Sequence, residues 1–181
     1  MPELHSHHLV YGTLHDYLTG EELTDTDDER IRQQISRMMI ENLGYHKEDL
    51  KPRLTIETLF SRHFVISTIE LTVTLHGKQM IIIRYGPGSL VSRERSALAA
   101  ARVLNSAYRI PLAVVTNGRD AALLDTVTGK LIKSSMAAIP DKKEALQLLP
   151  KLVFLPPQEE EKRIREKRIL IKCIQEDNVG I

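Results

Sequence analysis

MIIIRYGPGS, Met80 to Ser89, runs four apolar side chains straight into Arg84 and Tyr85 and then into a Gly-Pro-Gly turn. A short unbroken apolar run bounded by turn residues reads as a strand covered on both faces. The segment before it, FVISTIELTVTL at 64–75, reads differently. Val65, Ser67, Ile69, Leu71, Val73 and Leu75 fall on one face of a strand. Ile66, Thr68, Glu70, Thr72 and Thr74 fall on the other. Only His76 and Gly77 separate this strand from KQMIIIRY, so the two form an antiparallel hairpin. The second strand is central and delivers Arg84 and Tyr85 at its end.

Outward from this hairpin the elements follow by pattern. SLVSRERSALAAARVLNSA is rich in alanine and reads as a helix, with Ser89 or Ser92 as its cap. IPLAVVTNG, at 110–118, is a buried strand ending in an Asn-Gly turn. AALLDTVTGKLI is a strand, a Thr-Gly turn and a short continuation. Residues 141–149 make a short helix, and Pro156-Pro157 breaks the chain. QEEEKRIREKRILIKCIQED is a charged helix with Ile164, Ile171 and Ile174 on one side, able to dock on its own core or on a second copy. Upstream, RLTIETLF at 53–60 is a strand. TDTDDERIRQQISRMMIENLGY is a helix over 27–43, with Thr26 and Glu29 as a capping box and Gly44 as its stop. This order predicts an α/β (α+β) fold: a mixed central sheet flanked by helices, plus a C-terminal helix. Three segments are expected: an N-terminal arm at 1–26, a domain at 27–155 and a charged helix at 156–181.

Composition sets the outer bounds. The chain has 181 residues, 42% hydrophobic and 27% charged, which suits one globular domain. It has no Trp and three Phe, so the core must be aliphatic. Cys173 is the sole cysteine, which excludes an internal disulfide and a cysteine-based zinc site. No apolar run approaches the roughly 20 residues needed to span a bilayer. The N-terminus lacks the charged and apolar regions of a signal peptide. These features predict a cytoplasmic protein without membrane contact. Charge is uneven: residues 1–27 carry six acids and no Lys or Arg, whereas the middle of the chain is modestly basic. A basic middle is compatible with nucleic acid.

The order of these elements and several words resemble a known family. The words are DYLTGEELTDTDDERIRQ, the LGY that ends the first helix, the strand–turn–strand leading to a Pro-containing turn, and VVTNGRDAALLDTVTGKLI. Together, over roughly residues 16–132, they resemble the N-terminal domain of type I restriction enzyme R subunits, which has the PD-(D/E)xK nuclease fold. The full subunit also carries a helicase motor, which a chain of this length cannot contain. The resemblance implies a divalent-metal site: an Asp on the second strand and a Glu on the third hold the ion, which polarises the phosphate and activates water. A Lys two residues after that Glu completes the motif.

This chain departs from that pattern. Glu70 aligns with the family's Asp. The Glu position falls on Ile83 or Arg84, and the Lys position on Tyr85 or Gly86. A Gln often found on the following helix falls near Ser96. Arg84 at a ligand position would repel Mg²⁺ and could pair with Glu70 or hold a phosphate oxygen. The expectation is a nuclease-like fold with degenerate catalytic positions Glu70 and Arg84, no metal and no cofactor, binding DNA or a protein partner rather than cutting. One alternative is a working Mg²⁺-dependent endonuclease whose site is rebuilt from Glu57, Glu70 and Glu94 with Lys78. Another is an oligomerising module, a homodimer through the C-terminal helix, with no nucleic-acid role.

The phosphate-facing candidates are Arg84, Gly88, Ser89, Arg93 and Arg95. Gly86-Pro87-Gly88-Ser89 opens a helix, whose first amides suit an anion, yet the same loop serves as a plain strand-to-helix turn. Arg93 and Arg95 around Glu94 also read as a solvated helix face. Glu29 is explained by capping, and Thr116 to Asp120 by turn chemistry. His5, His7 and His8 form a short cluster that lacks the fixed geometry of a structural zinc site.

Overall fold

The structure is a computed structural model that describes residues 9–178, with side chains described as far as Ile171. His5, His7 and His8 lie outside the described residues, as do the side chains of Cys173 and Ile174. Two short strands, β1 (Val10–His15) and β2 (Glu22–Thr26), pair as an antiparallel hairpin. Helix α1 (Asp27–Glu41) follows directly. Then come β3 (Leu50–Phe60), β4 (His63–Leu75) and β5 (Lys78–Tyr85), α2 (Val91–Val103), β6 (Leu112–Thr116), β7 (Ala121–Asp125) and β8 (Leu131–Ser134). Helices α3 (Lys142–Leu148) and α4 (Glu160–Asn178) complete the order.

Six strands form one sheet in sequence order, β3-β4-β5-β6-β7-β8. Only β5 and β6 run parallel, because α2 connects them as a crossover; every other neighbour is antiparallel. The β4–β5 turn places His76 at φ 48° and Gly77 at φ 74°. Two consecutive positive φ values are the mark of a tight hairpin turn, as the short connection requires.

Apolar side chains fill both faces of this sheet. On one face Ile81, Ile83, Val114 and Leu123 pack with Ile35 and Met39 of α1 and Ala145 of α3. On the other, Ile82, Ala113, Val115 and Leu124 pack with the alanines of α2 and Leu170 of α4. The run Met80–Ile83 is wholly buried, so β5 is the covered central strand that its sequence predicts. The alternation along β4 holds over its first part, where Ser67 and Ile69 are buried while Ile66 and Thr68 are exposed, and is lost further on, where Leu71, Thr72 and Val73 are all buried and Ile69 packs in a different layer from Leu71. No described helix is long and apolar enough to cross a membrane.

Four local features differ from expectation. The sequence predicts no strand in residues 1–26, yet β1 and β2 pair there; both are short and neither contains a buried residue, so burial writes no apolar pattern into them. Neither Ser89 nor Ser92 caps α2: the helix begins after Leu90, and the Ser92 hydroxyl donates to the Ser89 carbonyl at 2.9 Å. Thr26 does cap α1, accepting from the Glu29 amide at 3.1 Å. The Glu29 carboxylate, however, turns to Gln33 and Arg32. In α4, Ile164 is exposed, and the inward residues among those described are Leu170 and Ile171. The helix packs on α2 of its own chain.

One polar anchor ties the β1–β2 hairpin to the domain. Asp16 is buried in the loop between the two strands. It accepts from the Leu18 and Thr19 amides at 2.9 and 2.8 Å, from Gln33 at 3.1 Å and from Arg53 at 2.6 Å. Burial pushes its carboxyl up, but the Arg53 bond, the Thr19 and Leu18 amides and the Gln33 amide outweigh it and hold the group at about 2. A carboxyl held below its ordinary 3.8 contributes stability that is present above that value and lost as pH falls through about 2. Chemical denaturation from pH 5 to pH 2 should show stability falling on this limb. Asp16→Asn should be less stable at neutral pH and flatter in acid. An unchanged acid limb would show that Asp16 is not its source.

Candidate functional site

The site lies where β4 and β5 part. Their ladder is paired at Leu71–Ile83 and ends there. One residue further on each strand stand Glu70 and Arg84. Arg84 Nε donates to Glu70 Oε2 at 3.2 Å, and Arg84 Nη1 donates to the Ser96 hydroxyl of α2 at 3.3 Å. A second guanidinium, Arg32 of α1, approaches Glu70 Oε1 at 3.8 Å. Glu70 is therefore held between two cations, with its side chain 12% exposed. Strand alternation explains why Arg84 rather than Ile83 takes this place: Ile83 faces the apolar layer under α1.

Tyr85 extends the network. Its hydroxyl donates to Asp28 Oδ1 at 3.0 Å, and the Arg32 guanidinium lies over its ring at 5.4 Å. Burial, followed by the Asp28 contact, pushes the Tyr85 hydroxyl up to about 12. It stays protonated at neutral pH, so it supplies neither the charge of a lysine nor a base. Gly86 follows. A Cβ there would lie 2.3 Å from Arg93 Nε, so the absent side chain is what lets the Arg93 guanidinium lie against the strand end. Arg93 Nε also reaches the Pro87 carbonyl at 3.4 Å. Asn117, from the turn after β6, closes the loop by donating to the Gly88 carbonyl at 3.0 Å.

The candidate residues thus divide. Gly88 and Ser89 share one loop, and Arg93 packs against that loop at Gly86 and Pro87. Arg84 is directed into Glu70 and Ser96. Arg95 is turned elsewhere, because residues two apart on a helix differ by about 200° in direction; it faces a groove toward α4. The residues of the relocated site do not meet. Lys78 stands at the opposite end of β5, with its ammonium near the Tyr108 and Phe154 rings. Glu57 is exposed on β3. Among the described residues no three His, Cys, Asp or Glu side chains come together in a way that could hold a metal ion. A hard divalent ion needs several oxygen ligands. One carboxylate already held by two guanidiniums does not fit that need.

Sequence reasoning missed Arg32 and Asp28. A signal for them existed: Asp28, Arg32, Ile35 and Met39 fall at helical spacing on one side of α1. The stripe is apolar at Ile35 and Met39 and charged where it reaches the strand ends, which is how a helix addresses a polar site.

Comparison with known proteins identifies the family. A family model described as the type I restriction enzyme R protein N terminus matches residues 27–140, and the chain belongs to that family. No curated protein and no solved structure matches the chain.

The Glu70–Arg84 pair makes a direct test possible. Glu70→Gln leaves Arg84 largely desolvated beside a neutral amide, and should cost about 1–3 kcal/mol in chemical denaturation. Replacing both partners by methionine should cost less than the sum of the single changes, giving a double-mutant coupling of about 1 kcal/mol or more. Additive single changes would show that the pair contributes nothing beyond its separate contacts.

Proposed function

We propose that this domain of the type I restriction R-protein family binds nucleic acid without cutting it. One observation carries the reading. At the end of β5, beside the carboxylate of Glu70, stands the guanidinium of Arg84 at 3.2 Å. A metal-dependent nuclease needs a second carboxylate there to hold its ion. The place of the expected lysine is Gly86, and the space beyond it is filled by Arg93. The family supports a nuclease-related domain. Two guanidiniums on Glu70 oppose a metal ion there, which supports binding without cutting.

A second reading, a module that docks a protein, is favoured by a different observation. Leu59, Phe64 and Ile66 are exposed on one face of the β3–β4 hairpin, and an apolar patch of this kind is a common mark of a protein contact.

The two readings separate in one titration. Fluorescence anisotropy with labelled single- and double-stranded DNA, at two salt concentrations and with Mg²⁺ or EDTA, should show salt-sensitive binding. The same samples on a denaturing gel should show intact DNA in Mg²⁺ and in Mn²⁺. Cleavage that depends on metal and is lost in Glu70→Ala would overturn the non-cutting half of the reading. Absence of binding at low salt would overturn the nucleic-acid half and leave the protein-docking module.

A further inference from the structure

We propose that the groove between α2 and α4 takes the phosphate oxygens of a nucleic-acid backbone, with Arg95 and Lys162 as the cations that meet them. The inference rests on the nucleic-acid reading above and moves the main contact surface away from the ends of β5 and β6.

The groove has a volume of about 320 Å³ and is lined by four cations, Arg95 and Arg102 from α2 and Lys162 and Arg165 from α4. Two of the four are already satisfied. Arg102 donates to the Thr126 carbonyl and to Glu166, each at 2.9 Å. Arg165 pairs with Glu161. These contacts engage Glu166 and Glu161 as well as the two arginines. Arg95 and Lys162 have no hydrogen bond or ion pair among the described residues. Two cations without an ion pair therefore face one concavity from two different helices. Like charges brought together this way repel, and an anion between them relieves that repulsion.

Leu98 and Ile169 lie between the cations and give their stems apolar surface to rest on. An arginine fork and a lysine ammonium on one groove suit successive phosphates.

The test uses the full chain and the same labelled duplex. Arg95→Ala/Lys162→Ala should weaken binding tenfold or more at low salt. Its slope of log affinity against log salt should fall by about 2, since each phosphate contact contributes about 0.9. Arg95→Lys/Lys162→Arg should keep binding close to the parent. Lys51→Ala/Lys143→Ala removes the same charge from exposed positions outside the groove and should change affinity far less. All variants alter exposed charges, and thermal unfolding confirms that each is folded. If the parent binds and the groove variant binds equally well, or is weakened no more than the control, the groove assignment is overturned and the nucleic-acid reading stands. If the parent fails to bind at low salt, both fall together.

Discussion

The contact between Glu70 and Arg84 is the constraint around which the polar end of this domain is arranged. A carboxylate at the divergence of two central strands, mostly out of water, is costly unless opposite charge meets it. Arg84 meets it from the neighbouring strand and Arg32 from α1. Each arginine then needs partners of its own. Arg84 takes the Ser96 hydroxyl, which ties β5 to α2, and Arg32 takes Glu29 and the face of Tyr85. Tyr85 in turn donates a hydrogen bond to Asp28. One ion pair thereby fixes how both flanking helices meet the strand ends, which is why removing either charge should be felt on both faces of the sheet.

That arrangement sits where the fold leaves room for it. The single parallel junction, β5 beside β6, has both carboxyl ends pointing the same way, and the loops leaving those ends carry Gly86 to Ser89 and Asn117. In open sheets of this kind, ligands gather at the carboxyl ends of parallel strands where the chain changes direction. Here that position is filled from within. Arg93 lies against Gly86, and Asn117 ties the first loop to the second. The carboxyl ends of β5 and β6 are thereby occupied by contacts within the domain, which favours a ligand surface elsewhere.

Much of the fold was legible because it rests on local pattern. Met80 to Ile83 could be read as a central strand since burial on both faces leaves no polar position to write. The β4–β5 turn followed from the two residues available to make it, and Thr26 announced α1 by its place before three acids. The missed parts are non-local. β1 and β2 are short and face solvent, so neither alternation nor turn chemistry marks them. The partners of Glu70 were half legible: Arg84 follows from strand register, whereas Arg32 comes from a helix nearly forty residues away and announces itself only as a charge on an otherwise inward stripe. Arg95 was grouped with Arg93 because the two are neighbours in the text, and helical geometry sends them to opposite sides.

The separation of Arg93 from Arg95 has a consequence for how charge is used across the molecule. Arg84 and Arg93 act on the domain itself, one against Glu70 and one against the loop at Gly86. Charge of that kind rigidifies the strand ends and is unavailable to a ligand without first breaking a contact. Arg95 and Lys162 are different, because neither makes an ion pair among the described residues, while Arg102 holds Glu166, which lines the same groove. A protein that kept α4 only to cover the alanines of α2 would need Leu170 and Ile171 against that face. It would not need the basic residues one turn and more before them. Their presence opposite Arg95 is better explained by something anionic that the two helices hold together.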